Sequence, residues 1–209
     1  AGPQSLRATE NEWKNDFEVA PYLHMGSLKQ YASSEEEGQS VRDCYGLAQS
    51  KDNSVTEISR VRSLIKKDTL IIVRGIMSEE DAEEALLHGA DGIWVSNGGS
   101  QRAKSSPSLI NVLQRICTSI RKVNATCPIL VDSSITRGTD VMKCLAFGAT
   151  AVFINRPIMW ALEYNGQEGC EELMDILNEE LKLAMALTHC FALQDITEEQ
   201  VIHKVRARL

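Results

Sequence analysis

Val95-Ser96-Asn97-Gly98-Gly99-Ser100-Gln101-Arg102 carries an apolar run into a polar, glycine-rich segment. In an α/β barrel, the loop after a buried strand is where catalytic residues stand. This one offers hydroxyls and amides but no group that takes up a proton at neutral pH. An enzyme loop of this kind lacks its base. Three other segments carry comparable chemistry. Arg74-Gly75 follows one apolar run, Asp132-Ser133-Ser134-Ile135-Thr136-Arg137-Gly138-Thr139-Asp140 another, and Asn155-Arg156-Pro157 a third. The last two are short, polar and lead into expected helix N-termini. Backbone N–H groups, a helix dipole and one or two guanidinium groups would converge there as a phosphate cradle. The alternative is that Arg137 and Arg156 pair with acids such as Asp132 and Asp140.

These loops need a frame. Apolar residues at Val55, Ile58, Val61, Leu64 and Ile65 form a helical stripe. Leu70-Ile71-Ile72-Val73 reads as a strand buried on both faces. Ser78 caps a helix that runs through Ala82, Ala85 and Leu86 and stops at Gly89. Strands follow at Gly92–Val95, Ile129–Val131 and Ala151–Ile154, with helices at Leu109–Val123, Thr139–Phe147 and about Gly169–Leu187. Trp94 lies mid-strand, which suits a core position. Strand and helix alternate four times, the pattern of βα units in a parallel sheet. The segment from Asp81 to Asn97 recurs 59 residues later, from Asp140 to Arg156. Repeated βα units build a (β/α) barrel, and four strands are half of one. The expected fold is therefore α/β: an open, parallel four-stranded half-barrel over residues 54–209. An irregular N-terminal arm over residues 1–53 precedes it, with an acidic run at Ser33–Ser40, a short helix near Thr9–Phe17, and Pro21-Tyr22-Leu23 and Leu28 as possible anchors.

Composition narrows the partners. A net charge of −7 supplies no basic stripe for nucleic acid. No apolar run reaches the 18 or more residues of a membrane helix, and no signal-peptide core opens the chain. The six cysteines form no C-x-x-C pair, and the four histidines lack ligand spacing, so reduced core thiols are expected and no metal. An open sheet exposes two edges and the face that would line a barrel, which calls for a protein partner or self-association. Trp94, Trp160 and Tyr164 are candidates for that surface. Ala207-Arg208-Leu209 is a variant of the Ser-Lys-Leu peroxisomal address; otherwise a cytoplasmic location is expected.

Arg137-Gly138-Thr139-Asp140-Val141, Arg156-Pro157-Ile158 and Leu183-Ala184-Met185-Ala186-Leu187 stand in order along the chain. With them the sequence resembles the FMN-dependent α-hydroxy-acid oxidases, glycolate oxidase and its relatives, and most of all the animal peroxisomal hydroxyacid oxidases. The resemblance starts near Leu6 and implies strands five to eight of a TIM barrel. It places Arg74 where the family has a lysine that steadies charge on the reduced flavin. Ser96, Asn97 and Gly99 match the loop after the sixth strand. The family's base histidine is Gly98 here, and its carboxylate-clamp arginine is Gln101, with Arg102 one place beyond. Asp132 is kept. Ser133 and Ser134 replace two glycines at which backbone approaches the flavin phosphate, and Thr136 replaces a phosphate arginine. Asn155-Arg156 replaces Gly-Arg. The resemblance thus implies Arg74, Ser96, Asp132, Ser134, Arg137, Asn155 and Arg156 as the FMN contacts, with binding weak or absent. The tyrosines and ring contacts of the family's first strands have no counterpart. Losing a general base alone costs about 10²–10⁴-fold in rate. The expectation is a non-catalytic homologue that serves as a structural or interaction protein. A residual FMN- or phosphate-binding module and an active (S)-2-hydroxy-acid oxidase stay open.

Overall fold

The computed structural model describes residues 55–100 and 106–202. By its internal contacts the chain divides into Ala1–Glu57 and Ile58–Leu209. The N-terminal arm, with its acidic run and short helix, lies outside the described residues, as do Gln101, Arg102 and Ala207-Arg208-Leu209.

In chain order the elements are α1 (Glu57–Leu64), β1 (Ile72–Ile76), α2 (Glu79–Leu87), β2 (Gly92–Val95), α3 (Leu109–Val123), β3 (Ile129–Val131), α4 (Gly138–Ala146), β4 (Ala151–Val152) and α5 (Arg156–Leu187). The strands pair in parallel in the order β1-β2-β3-β4. This is the expected four-stranded α/β arrangement. Ile93 and Val95 of β2 and Ile129 and Val131 of β3 are fully buried on the helix-covered side. On α3, Leu113, Ile116 and Ile120 are buried as well, and their three- and four-residue spacing puts them on one helical face. Arg121 then ties the end of α3 to the segments leading into β3 and β4, donating to the carbonyls of Ala125, Cys127 and Gly148. The cysteines described are free thiols. Burial pushes Cys117 and Cys144 up to about 12, so they remain neutral core groups.

Several expectations need correction. β1 is displaced toward the C-terminus of Leu70–Val73 and takes in Arg74 and Gly75. It is not buried on both faces: Ile72 is 42% exposed. Among the described residues β1 is outermost and has a strand on one side only. Its ladder slips between Arg74 and Ile76, and Gly75, at φ +99°, is the extra residue. β4 pairs over two residues rather than four. The last helix begins at Arg156, well before Gly169, and is interrupted at Asn165 and Gly166. Pro157, at the start of that helix, removes an N–H that has no partner in a first turn.

The repeat is literal in the structure. α2 and α4 are both nine residues long and begin 59 residues apart. Gly89 and Gly148 both take φ +98°, a conformation that disfavours a side chain. The N–H of Ala90 reaches the Ala85 carbonyl at 3.0 Å, and that of Ala149 reaches Cys144 at 3.1 Å. The N-terminal caps differ. The Ser78 hydroxyl accepts from the Asp81 N–H at 3.1 Å, as the sequence predicts. At α4 that position is Arg137, which has no short oxygen to offer. Glu180 of α5 takes over, its carboxylate accepting from the Gly138 N–H at 2.8 Å and pairing with Arg137 at 3.3 Å. Gly138 permits this approach: a Cβ there would stand 2.6 Å from the Leu177 carbonyl.

Candidate functional site

The loops at the C-terminal ends of β2 and β3 are joined by one carboxylate. Asp132 is 8% exposed. Arg74 places Nε at 3.1 Å and Nη2 at 2.6 Å from Asp132 Oδ2. The Ser133 hydroxyl donates to Oδ1 at 2.8 Å. Burial pushes the Asp132 carboxyl up. Hydrogen bonds from Ser96, Arg74 and Ser133, with the Arg74 charge, more than offset this and hold it below the ordinary carboxylate value. Asp132 is therefore ionised at neutral pH and a poor proton acceptor.

The β2 loop folds onto the same group. Gly98 and Gly99 take φ +61° and +67°. The Gly98 N–H donates to the Ser96 hydroxyl at 3.2 Å. The Gly99 N–H is shared between Asn97 Oδ1 at 3.0 Å and the Ser133 hydroxyl at 3.2 Å. Ser133 thus bridges the two loops, from Asp132 to Gly99. Ser133 and Ser134 hold φ +84° and +60°, the left-handed region that glycine adopts without strain. The backbone keeps a glycine-like path with side chains added to it.

Below this network lies the sheet face opposite to that of Ile93 and Val95. Arg74, Trp94, Leu130 and Ala151 stand in register across it. The Trp94 ring packs on Phe153 with centroids 4.4 Å apart, and the Arg74 guanidinium carbon lies 5.4 Å from the Trp94 ring centre. Trp94 is only half-buried, because it faces away from the helices that cover Ile93 and Val95. Its buried Nε1 has no hydrogen-bond partner.

The arginines separate. Arg137 does not pair with Asp132 or Asp140; it turns to Glu180 on α5. Asp140 instead accepts from the backbone N–H groups of Thr136 and Arg137 and pairs with Lys143. Arg156 has no carboxylate partner among the described residues, and its Nη2 lies 3.6 Å from where a Gly99 Cβ would stand. Asn155 caps α5 from a position that makes no side-chain cap hydrogen bond. Of the expected contacts, the structure gathers Arg74, Ser96 and Asp132 in one network, with Ser134 in the adjoining loop and Arg156 beside Gly99. It sends Arg137 elsewhere. Glu180 was not anticipated, and no local signal marks it, since it lies 43 residues from Arg137 in sequence.

A model of the FMN-dependent dehydrogenases matches residues 4–203. The chain belongs to that family. Mouse 2-hydroxyacid oxidase 1 is 37% identical over 183 residues, covering 85% of this chain and 48% of that protein. The 2-hydroxyacid oxidase of Dictyostelium discoideum is 49% identical over 126 residues, 60% of this chain and 32% of that one. A solved Pediococcus acidilactici lactate oxidase superposes with a TM-score of 0.74 at 30% identity, over 90% of this chain and 48% of its own. This member of the FMN-dependent dehydrogenases spans about half the length of the curated relatives it matches. Its sheet is accordingly one half of a TIM barrel.

The residues present do not fit a flavin phosphate. Ser133 and Ser134 add side chains to a loop whose backbone follows a glycine-like path. The Thr136 hydroxyl bonds Asp140 and supplies no charge. The α4 N-terminus is already capped by Glu180, and among the described residues Arg156 is the cation beside Gly99 that has no carboxylate partner.

Proposed function

We propose that this chain is a non-catalytic member of the FMN-dependent dehydrogenases that acts through its half-barrel as a structural or interaction protein. Gly98 carries this reading. Hydroxy-acid oxidation needs a base poised near neutral pH. At Gly98 the space that a side chain would enter is open to 4 Å, and no described side chain there takes a proton. The carboxylate of the neighbouring network, Asp132, is held low and paired with Arg74. Purified protein supplied with FMN and with glycolate, lactate or longer 2-hydroxy acids should yield no hydrogen peroxide above a protein-free blank. Turnover with any of these acids would sink the proposal.

Exposed apolar side chains support the interaction role. Leu64, Leu70, Ile72 and Leu87 are exposed on the β1 side of the sheet, and Met159, Trp160, Leu162 and Tyr164 at the start of α5. We place the protein in the peroxisome, as the names of two Arabidopsis thaliana (S)-2-hydroxyacid oxidases suggest by analogy. A fluorescent fusion that keeps Ala207-Arg208-Leu209 at its end should co-localise with a peroxisomal marker.

A further inference from the structure

We propose that the Ser133 bridge closes the flavin-side loops against FMN, so that this chain excludes the cofactor of its family even though Arg74, Asp132 and Arg156 are kept. The inference rests on the non-catalytic reading and deepens it. Three observations support it. The Ser133 hydroxyl donates to Asp132 at 2.8 Å and accepts from the Gly99 N–H at 3.2 Å, so it occupies the gap between two loops. The Gly98 and Gly99 N–H groups are both taken internally, leaving no loop N–H at these positions aimed at an incoming anion. The bridge is held although Ser133 sits at φ +84°, a conformation that L side chains rarely adopt.

Strain and bridge can be separated by substitution. Ser133→Gly and Ser134→Gly each relieve a left-handed serine, but only Ser133→Gly removes the bridge. The wild-type chain and both variants would be titrated with FMN by flavin fluorescence, with riboflavin, which lacks the phosphate, in parallel. Thermal melts would confirm that each protein is folded. Where Ser133→Gly fails to fold, Ser133→Ala removes the hydroxyl alone. The expected result is no saturable FMN binding by the wild type or by Ser134→Gly. Ser133→Gly should saturate, with its half-saturation at least about tenfold below the highest FMN concentration at which the wild type still fails to, a difference of about 1.4 kcal/mol or more. Riboflavin should show no such gain. Wild-type binding as tight as that of Ser133→Gly, equal gains in both variants, or no gain in either would each overturn the bridge. Peroxide formation by the wild type would instead overturn the functional reading, whereas FMN binding without peroxide would overturn the bridge alone.

Discussion

Two serines in the left-handed region are a local cost, and the chain retains both. A non-glycine residue there loses about 1–2 kcal/mol, which the flexibility of unfolded glycine partly returns on replacement. Ser134→Gly should therefore raise stability by about 0.5–1 kcal/mol in chemical denaturation. Ser133→Gly should be close to neutral, because it also loses the bonds to Asp132 and Gly99. Asp132 gives a pH signature. Its folded pKa is depressed, so its stabilising contribution is complete above the unfolded value of about 4 and is lost as pH falls through the lower folded value. Asp132→Asn should destabilise the protein by about 1–3 kcal/mol at pH 7. Denaturation curves of the two proteins should converge as pH drops below about 4. A gap that stays constant down to pH 2 would contradict this assignment. Residue types at this site were legible in the sequence: Ser96, Asp132 and Arg156 stand where the loops were expected. Their partners were not. The Arg74–Asp132 and Arg137–Glu180 pairs span 58 and 43 residues, and only the fold decides which acid each guanidinium meets.

Among the elements, α2 and α4 were read within one residue, because a serine cap, an apolar face and a terminal glycine mark the first and its echo marks the second. β1 was misplaced for a physical reason. A β-branched run implies burial on both sides, but an outermost strand pairs on one side only and extends through a charged residue that stays half-exposed. The α4–α5 packing depends on Gly138. An added methyl there would meet Leu177 O and Glu180 Cβ at 2.6 Å, and Leu181 N as well. Gly138→Ala should destabilise the protein by about 3 kcal/mol or more, since backbone atoms cannot step aside as a flexible side chain can. Glu180→Ala removes a cap and an ion pair from the same junction and should cost about 1–2 kcal/mol. Thermal melts of both variants would check the order: the glycine change should be the more damaging.

The molecule as a whole joins half of the family's barrel to a β2 loop whose described residues, Ser96 to Gly99, offer no base. Its buried faces of β2, β3 and α3 are well filled, while Trp160 and Tyr164 stand 63% and 80% exposed. If those residues contact a partner or a second copy, Trp160→Ser with Tyr164→Ser should shift the protein to its monomer mass in size-exclusion chromatography with light scattering, with its melting temperature unchanged. A wild-type protein that is already monomeric at micromolar concentration would remove self-association from the proposal.

The matched ends of α2 and α4 have a consequence for how this half-barrel could be engineered. Two stretches 59 residues apart use the same helix length, the same reversal at glycine and the same closing hydrogen bonds. They are close to interchangeable parts. Transplanting Ala82–Ala90 onto Val141–Ala149 should preserve the turn into β4, leaving Gly138 and Glu180 to carry what is particular to the second unit.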